Sequence, residues 1–181
     1  HIREDLMIDS SVTIGKGTRI EPTVVIQENC SVGDNCFIGH YVVIRPGTRI
    51  GNHTVIGHHC VFEGDTVIGD DCLIGPQSHL TKGLVMENKV FIGPRITTCN
   101  DKPMVHLRRH LKPFIQQAPV IRYGARIGAG ALIGPDVEIG NNSIIGLGAV
   151  VVTDVAPHSI VYGNKATVKG SVPPSEWLDA D

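Results

Sequence analysis

The densest run of chemically capable side chains lies between residues 98 and 120. Lys102, Arg108, Arg109 and Lys112 stand against one acid, Asp101, with His106 and His110 among them and prolines at 103, 113 and 119. Four cations against one acid make this stretch locally basic in a chain of net charge −2. Guanidinium groups so placed suit planar oxyanions, because phosphate and carboxylate accept two parallel N–H donors. The plainer alternative is a solvated connector with one helical turn near residues 105–111. The histidines are the other source of chemistry, since a neutral imidazole can take a proton near neutral pH. His40 and His58 are eighteen residues apart, His53 and His59 lie close by, and His79 precedes the basic stretch.

What positions these groups is a repeat. From Ile8 a large apolar residue recurs every sixth position through Ile14, Ile20, Ile26 and onward to Met86 and Ile92. A second, smaller series follows four residues behind each member: Val12, Thr18, Val24, Cys30, Cys36, and so to Val90 and Ile96. A six-residue period implies a β-solenoid. Glycine follows the large residue in two repeats of every three (Gly15, Gly33, Gly51, Gly69; Gly39, Gly57, Gly75, Gly93), whereas Asp9, Gln27, Arg45, Glu63 and Thr81 occupy the third. The full period is therefore eighteen residues: three short strands and three tight corners per triangular coil. The repeat fails after Ile92 and resumes at Ile121, so the segment of about 98–120 must leave the wall and return to it. Long excursions from compact folds tend to carry function.

Composition narrows the classes. The chain of 181 residues reads as a single domain over 8–171 with a tail over 172–181. The near-neutral charge argues against nucleic acid or a membrane as the main partner. Four of the five cysteines fall in the inward small series and read as wall residues. The odd count, with no CxxC pair and no long apolar run, points to the cytoplasm.

With its hexapeptide register, the chain resembles the hexapeptide-repeat transferases, whose fold is an all-β, left-handed parallel β-helix; here that implies about seven coils with one extruded loop. The segment Thr153 to Ala166, with Asp154, Pro157 and Gly163-Asn164, is similar to the closing segment of hexapeptide acyltransferases, with Lys165 where the family usually has proline. Ile92-Gly93-Pro94-Arg95 followed by Asn100-Asp101 resembles the segment that opens the loop in sugar-nucleotide N-acetyltransferases acting on UDP- or dTDP-linked 3-aminosugars.

That resemblance implies an acetyl-CoA-dependent enzyme, a homotrimer with acetyl-CoA along the outside of adjacent prisms, and a nucleotide-sugar substrate of cell-surface polysaccharide synthesis. It assigns Asn100 to hold the amine, Asp101 to shape the loop or accept from a sugar hydroxyl, and His79 as a candidate base alongside His106 and His110. Arg95, Arg108 and Arg109 are candidates for substrate binding. Gly128, Ala129, Gly146 and Leu147 would present backbone amides to the pantetheine arm, with Lys165 and Lys169 near the coenzyme phosphates.

Three rivals remain. Acetylation of a hydroxyl needs a true base and would depend on a histidine. A gamma-type carbonic anhydrase would use three histidines on zinc, but has no role for the basic loop. An ice-binding solenoid would want outward threonine rows, whereas Thr18, Thr48, Thr54 and Thr66 fall in the inward series.

Overall fold

The computed structural model describes residues 6–179. Among these, twenty-two strands of two residues each, β1 (Met7–Ile8) to β22 (Val150–Val151), are followed by β23 (Ser159–Tyr162), β24 (Thr167–Ser171) and a short 3-10 helix, Pro174–Glu176. They form three sheets of eight, seven and nine strands, and each strand up to β19 belongs to the same sheet as the strand three places later. Pairing is parallel and in register at the coil repeat: Met7 lies beside Val25, Val61 beside His79, Phe37 beside Val55. The first face carries the column Val43, Val61, His79, Thr97 outward, the second Arg49, Val67, Val85, and the third Phe37, Val55, Leu73, Phe91.

Both apolar series point inward as their spacing predicts. Every member of the large series from Ile26 to Ile92 is buried, and so is every member of the small series from Val24 to Ile96. The small members also tie coils together. Thr54 Oγ1 donates to the Gly69 carbonyl at 3.0 Å, and Cys60 Sγ donates to that of Gly75 at 3.2 Å. Threonine and cysteine therefore satisfy wall polarity while filling space, which leaves no outward threonine row. The first coil is looser, with Ile14 exposed and Ile8 and Ile20 only partly buried.

The excursion leaves after strand Thr97–Thr98 and returns at strand Val120–Ile121. Thr97 pairs with Leu132, thirty-five positions on rather than eighteen, so the loop adds seventeen residues to one coil. Residues 106–111 form turns, not a helix: Arg108 N–H donates to Val105 at 2.8 Å, but Leu107 sits at φ 56°, which a helix does not accept. At the other end β24 pairs antiparallel with β23. The tail is pinned there: Trp177 stacks on His158 at 3.6 Å, and Asn142 exchanges two hydrogen bonds with Leu178, at 2.9 and 3.1 Å.

Candidate functional site

The three edges of the prism are not equivalent. On the edges between second and third face and between third and first face, the first corner residue is mostly glycine, with Glu21, Glu87 and Arg122 as exceptions, and at the glycines the next coil leaves no room for a side chain. A Cβ on Gly33 would lie 2.7 Å from the Asn52 nitrogen, and one on Gly75 would lie 2.4 Å from that of Pro94. The edge between the first and second faces accepts side chains at this position, and there Gln27, Arg45, Glu63 and Thr81 stand one coil apart. The loop also departs from this edge.

A polar cleft of about 320 Å³ opens there, lined by Arg45, Pro46, Glu63, Gly64, Asp65, Lys82, Asn100 and Gln116. Glu63 reaches the outward His79 of the first face, Oε1 to Nε2 at 3.2 Å, with both side chains partly exposed. A carboxylate accepts only, so this contact places the imidazole proton on Nε2 and leaves Nδ1 as the basic atom. Lys82 Nζ pairs with Asp65 at 2.9 Å. The Lys82 carbonyl accepts from Asn100 Nδ2 at 3.1 Å and from Gln116 Nε2 at 3.3 Å, so both ends of the loop are fastened to one atom of the wall. With Nδ2 so committed, Asn100 Oδ1 remains an acceptor.

The predicted residues do not all gather here. Asn100 and, through Glu63, His79 meet at the cleft. Asp101, bridged to Gln116, instead lines a pocket of about 550 Å³ inside the loop with Val105, His106, Leu107, Arg109, His110 and Phe114. The Arg109 guanidinium lies 5.3 Å over the Phe114 ring. Arg108 donates to the His106 carbonyl at 3.1 Å and lines a separate hollow with Lys102 and Lys112. Arg95 belongs to the third-to-first edge, at a corner with φ 57°, away from the Asn100 cleft. The expected set of three substrate arginines is thus divided between the loop and another edge, because six residues of wall separate consecutive corners.

The third-to-first edge holds the predicted coenzyme residues. Gly128 and Gly146 let the corners of Ala129 and Leu147 close on one another: a Cβ on Gly128 would lie 2.6 Å from the Leu147 nitrogen. Earlier in this column the His40 N–H donates to His58 Nδ1 at 2.8 Å, and Pro76 and Pro94 have no N–H at all. Among the described residues the Ala129 and Leu147 amides donate to nothing, and both residues are exposed. Lys169 Nζ lies 5.6 Å over the Tyr162 ring, and the exposed Lys165 borders a hollow with Asp154.

The remaining reactive groups have structural partners. His40 stacks on His58 at 5.3 Å, as their spacing predicts, yet among the described residues no group of three or more His, Cys, Asp or Glu is placed to hold a metal. Burial pushes the Cys60 and Cys72 thiols up to about 11. Cys99 is the exposed cysteine, its thiol raised by burial and then by the charge of Asp101. No helix among the described residues is long and apolar enough to cross a membrane.

Sequence reasoning missed Arg45, Glu63, Lys82 and Gln116. The signal for the first two was present: they occupy the corner position where glycine is absent.

Comparison with known proteins bears on this geometry. The model of bacterial transferase hexapeptide repeats matches residues 11–46, 29–64 and 47–82. The match lies within residues 11–82, less than half of the chain. Hexapeptide relatives include galactoside O-acetyltransferase of Lactococcus lactis, 29% identical over 96 residues, 52% of this chain and 46% of that protein. A second is dTDP-3-amino-3,6-dideoxy-alpha-D-galactopyranose 3-N-acetyltransferase of Aneurinibacillus thermoaerophilus, 38% identical over 53 residues, 29% of this chain and 28% of that one. The chain spans less than half the length of either. Solved structures show the same fold: the polySia specific acetyltransferase NeuO (TM-score 0.66, 18% identity, 96% of this chain, 84% of that one) and AntD, an N-acyltransferase from Bacillus cereus crystallised as a mutant with dTDP and coenzyme A (0.58, 17%, 89% and 84%).

Proposed function

We propose that this chain transfers the acetyl group of acetyl-CoA to the amino group of a nucleotide-linked aminosugar. The observation that carries this reading is Asn100 in the cleft lining: its Nδ2 is committed to the Lys82 carbonyl, which leaves Oδ1 as the acceptor for an amine N–H. The hexapeptide repeats and the acetyltransferase relatives, one of them named for a dTDP-aminosugar, support the reaction class. The coenzyme arm would lie along the third-to-first edge, its amide oxygens accepting from the free N–H groups of Ala129 and Leu147, with Lys165 and Lys169 beyond Gly146 for its phosphates. The prism is read as left-handed and trimeric, so that this edge of one copy faces the loop of the next. In the loop, Asp101, Arg108 and Arg109 are then substrate contacts. A monomer mass at sedimentation equilibrium would remove that arrangement.

In the reaction, the amine nitrogen attacks the thioester carbon, the new C–N bond forms, and collapse of the tetrahedral adduct breaks the C–S bond. The amine loses one proton to His79 Nδ1, which returns it to the departing thiolate. A second reading, transfer to a sugar hydroxyl, is favoured by the Glu63–His79 contact at 3.2 Å, since a carboxylate-held imidazole is the base an alcohol requires.

Steady-state kinetics separate the two. For an amine acceptor, Asn100→Ala raises the acceptor KM roughly tenfold and His79→Asn costs less than roughly 10²-fold in kcat. For a hydroxyl, His79→Asn removes about 10²–10⁴-fold in kcat. An enzyme indifferent to both substitutions would place the chemistry elsewhere.

A further inference from the structure

The charges of the polar cleft balance in number but not in contacts. It contains two cations, Arg45 and Lys82, and two acids, Glu63 and Asp65. Lys82 is committed to Asp65 at 2.9 Å. Glu63 sits one coil from Arg45 in the same column, the natural partner for its guanidinium, yet it turns along the wall to His79 at 3.2 Å. Among the described residues, Arg45 makes no ion pair and no side-chain hydrogen bond. Of the two cations lining this cleft, Arg45 is therefore the one that makes no ion pair, and its five donors suit a planar or tetrahedral oxyanion.

We propose that Arg45 is a specificity-determining residue that binds an anionic group of the acceptor, a phosphate or a carboxylate, within the cleft of Asn100 and Glu63. This rests on the acetyltransferase reading for its meaning and deepens it: the acceptor is an anionic sugar derivative rather than a neutral glycoside. The loop arginines do not serve this cleft, because Arg109 is laid over Phe114 and Arg108 is folded onto the His106 carbonyl. The shared chemistry has two sources, the diphosphate of a sugar nucleotide or a carboxylate on the sugar ring.

The corner itself does not need the Arg45 side chain. Its main-chain carbonyl accepts from Thr48 Oγ1 at 2.8 Å and from Cys30 Sγ at 3.2 Å, and its N–H donates to Phe62 at 3.0 Å. Arg45→Gln should therefore fold, which an unchanged cooperative thermal transition would verify.

The test is direct binding by calorimetry, which needs no turnover. Wild type, Arg45→Gln and Arg45→Lys are titrated with inorganic pyrophosphate, with glucuronate and with a neutral methyl glycoside. The expected result is binding of one anion to wild type, weakened at least tenfold in Arg45→Gln and partly restored in Arg45→Lys, with the neutral glycoside responding alike in all three. Pyrophosphate as the ligand identifies the nucleotide as the source; glucuronate identifies a ring carboxylate. The proposal is overturned if neither anion binds wild type, or if Arg45→Gln binds as wild type does. Arg45-dependent binding in a protein that transfers no acetyl group would sink the reaction assigned above and leave this inference standing.

Discussion

Cys99 and Asn100 are neighbours in the chain, yet the proposed chemistry uses only one of them. Cys99 is exposed beside Asp101, and both its partial burial and that charge hold the thiol protonated to higher pH than an ordinary cysteine. It is therefore a slow nucleophile. Iodoacetamide should add once to the native protein, at Cys99, more slowly than to a free cysteine, and Asp101→Asn should quicken the addition. A second adduct before unfolding would contradict the buried placement of Cys30, Cys36, Cys60 and Cys72. At this scale the sequence was partly legible. Asn100 stood out by resemblance, and the structure places it in the lining of the polar cleft. Glu63 and Arg45 did not stand out, because a corner without glycine reads first as a counting mark. The approach distances at the glycines of the other two edges show why side chains stand in sequence along this edge. The distribution of Arg95, Arg108 and Arg109 depends on which edge each corner joins, and on a loop whose internal contacts follow no period.

The elements most exposed to test are the stacked corners of the third-to-first edge. Pro76 and Pro94 occupy the same corner position as Ala129 and Leu147, each preceded by glycine, so proline is compatible with this backbone. Leu147→Pro removes one free amide and leaves the rest of the corner as it is. If that amide serves the coenzyme, the acetyl-CoA KM should rise about five- to tenfold, the value of a hydrogen bond of about 1 kcal/mol, with the melting temperature nearly unchanged. An unaltered KM would move the coenzyme to another edge. The corners themselves were readable beforehand, since glycine there answers a distance shorter than any Cβ contact allows. The loop was readable as a break in period. Its turn at Leu107 was not, because a positive φ at a leucine is imposed by the surrounding chain rather than by local preference.

For the whole molecule, the eighteen-residue coil was legible because each residue repeats its environment at the next level: a large apolar residue, four steps on a small one, then a corner. In-register pairing such as Val61 with His79 and Val43 follows from that repeat alone. What repetition cannot encode is the use made of one edge, where seventeen extra residues and six polar side chains build a cleft. The proposed function requires that this cleft receive an amine for acetylation. The most direct test incubates the protein with acetyl-CoA and a panel of UDP- and dTDP-linked aminosugars beside their hydroxyl counterparts, and follows product mass. The expected result is a gain of one acetyl group on a nucleotide aminosugar, weakened by Asn100→Ala. Acetylation confined to the hydroxyl compounds, or no product from a protein that still binds acetyl-CoA, would contradict it.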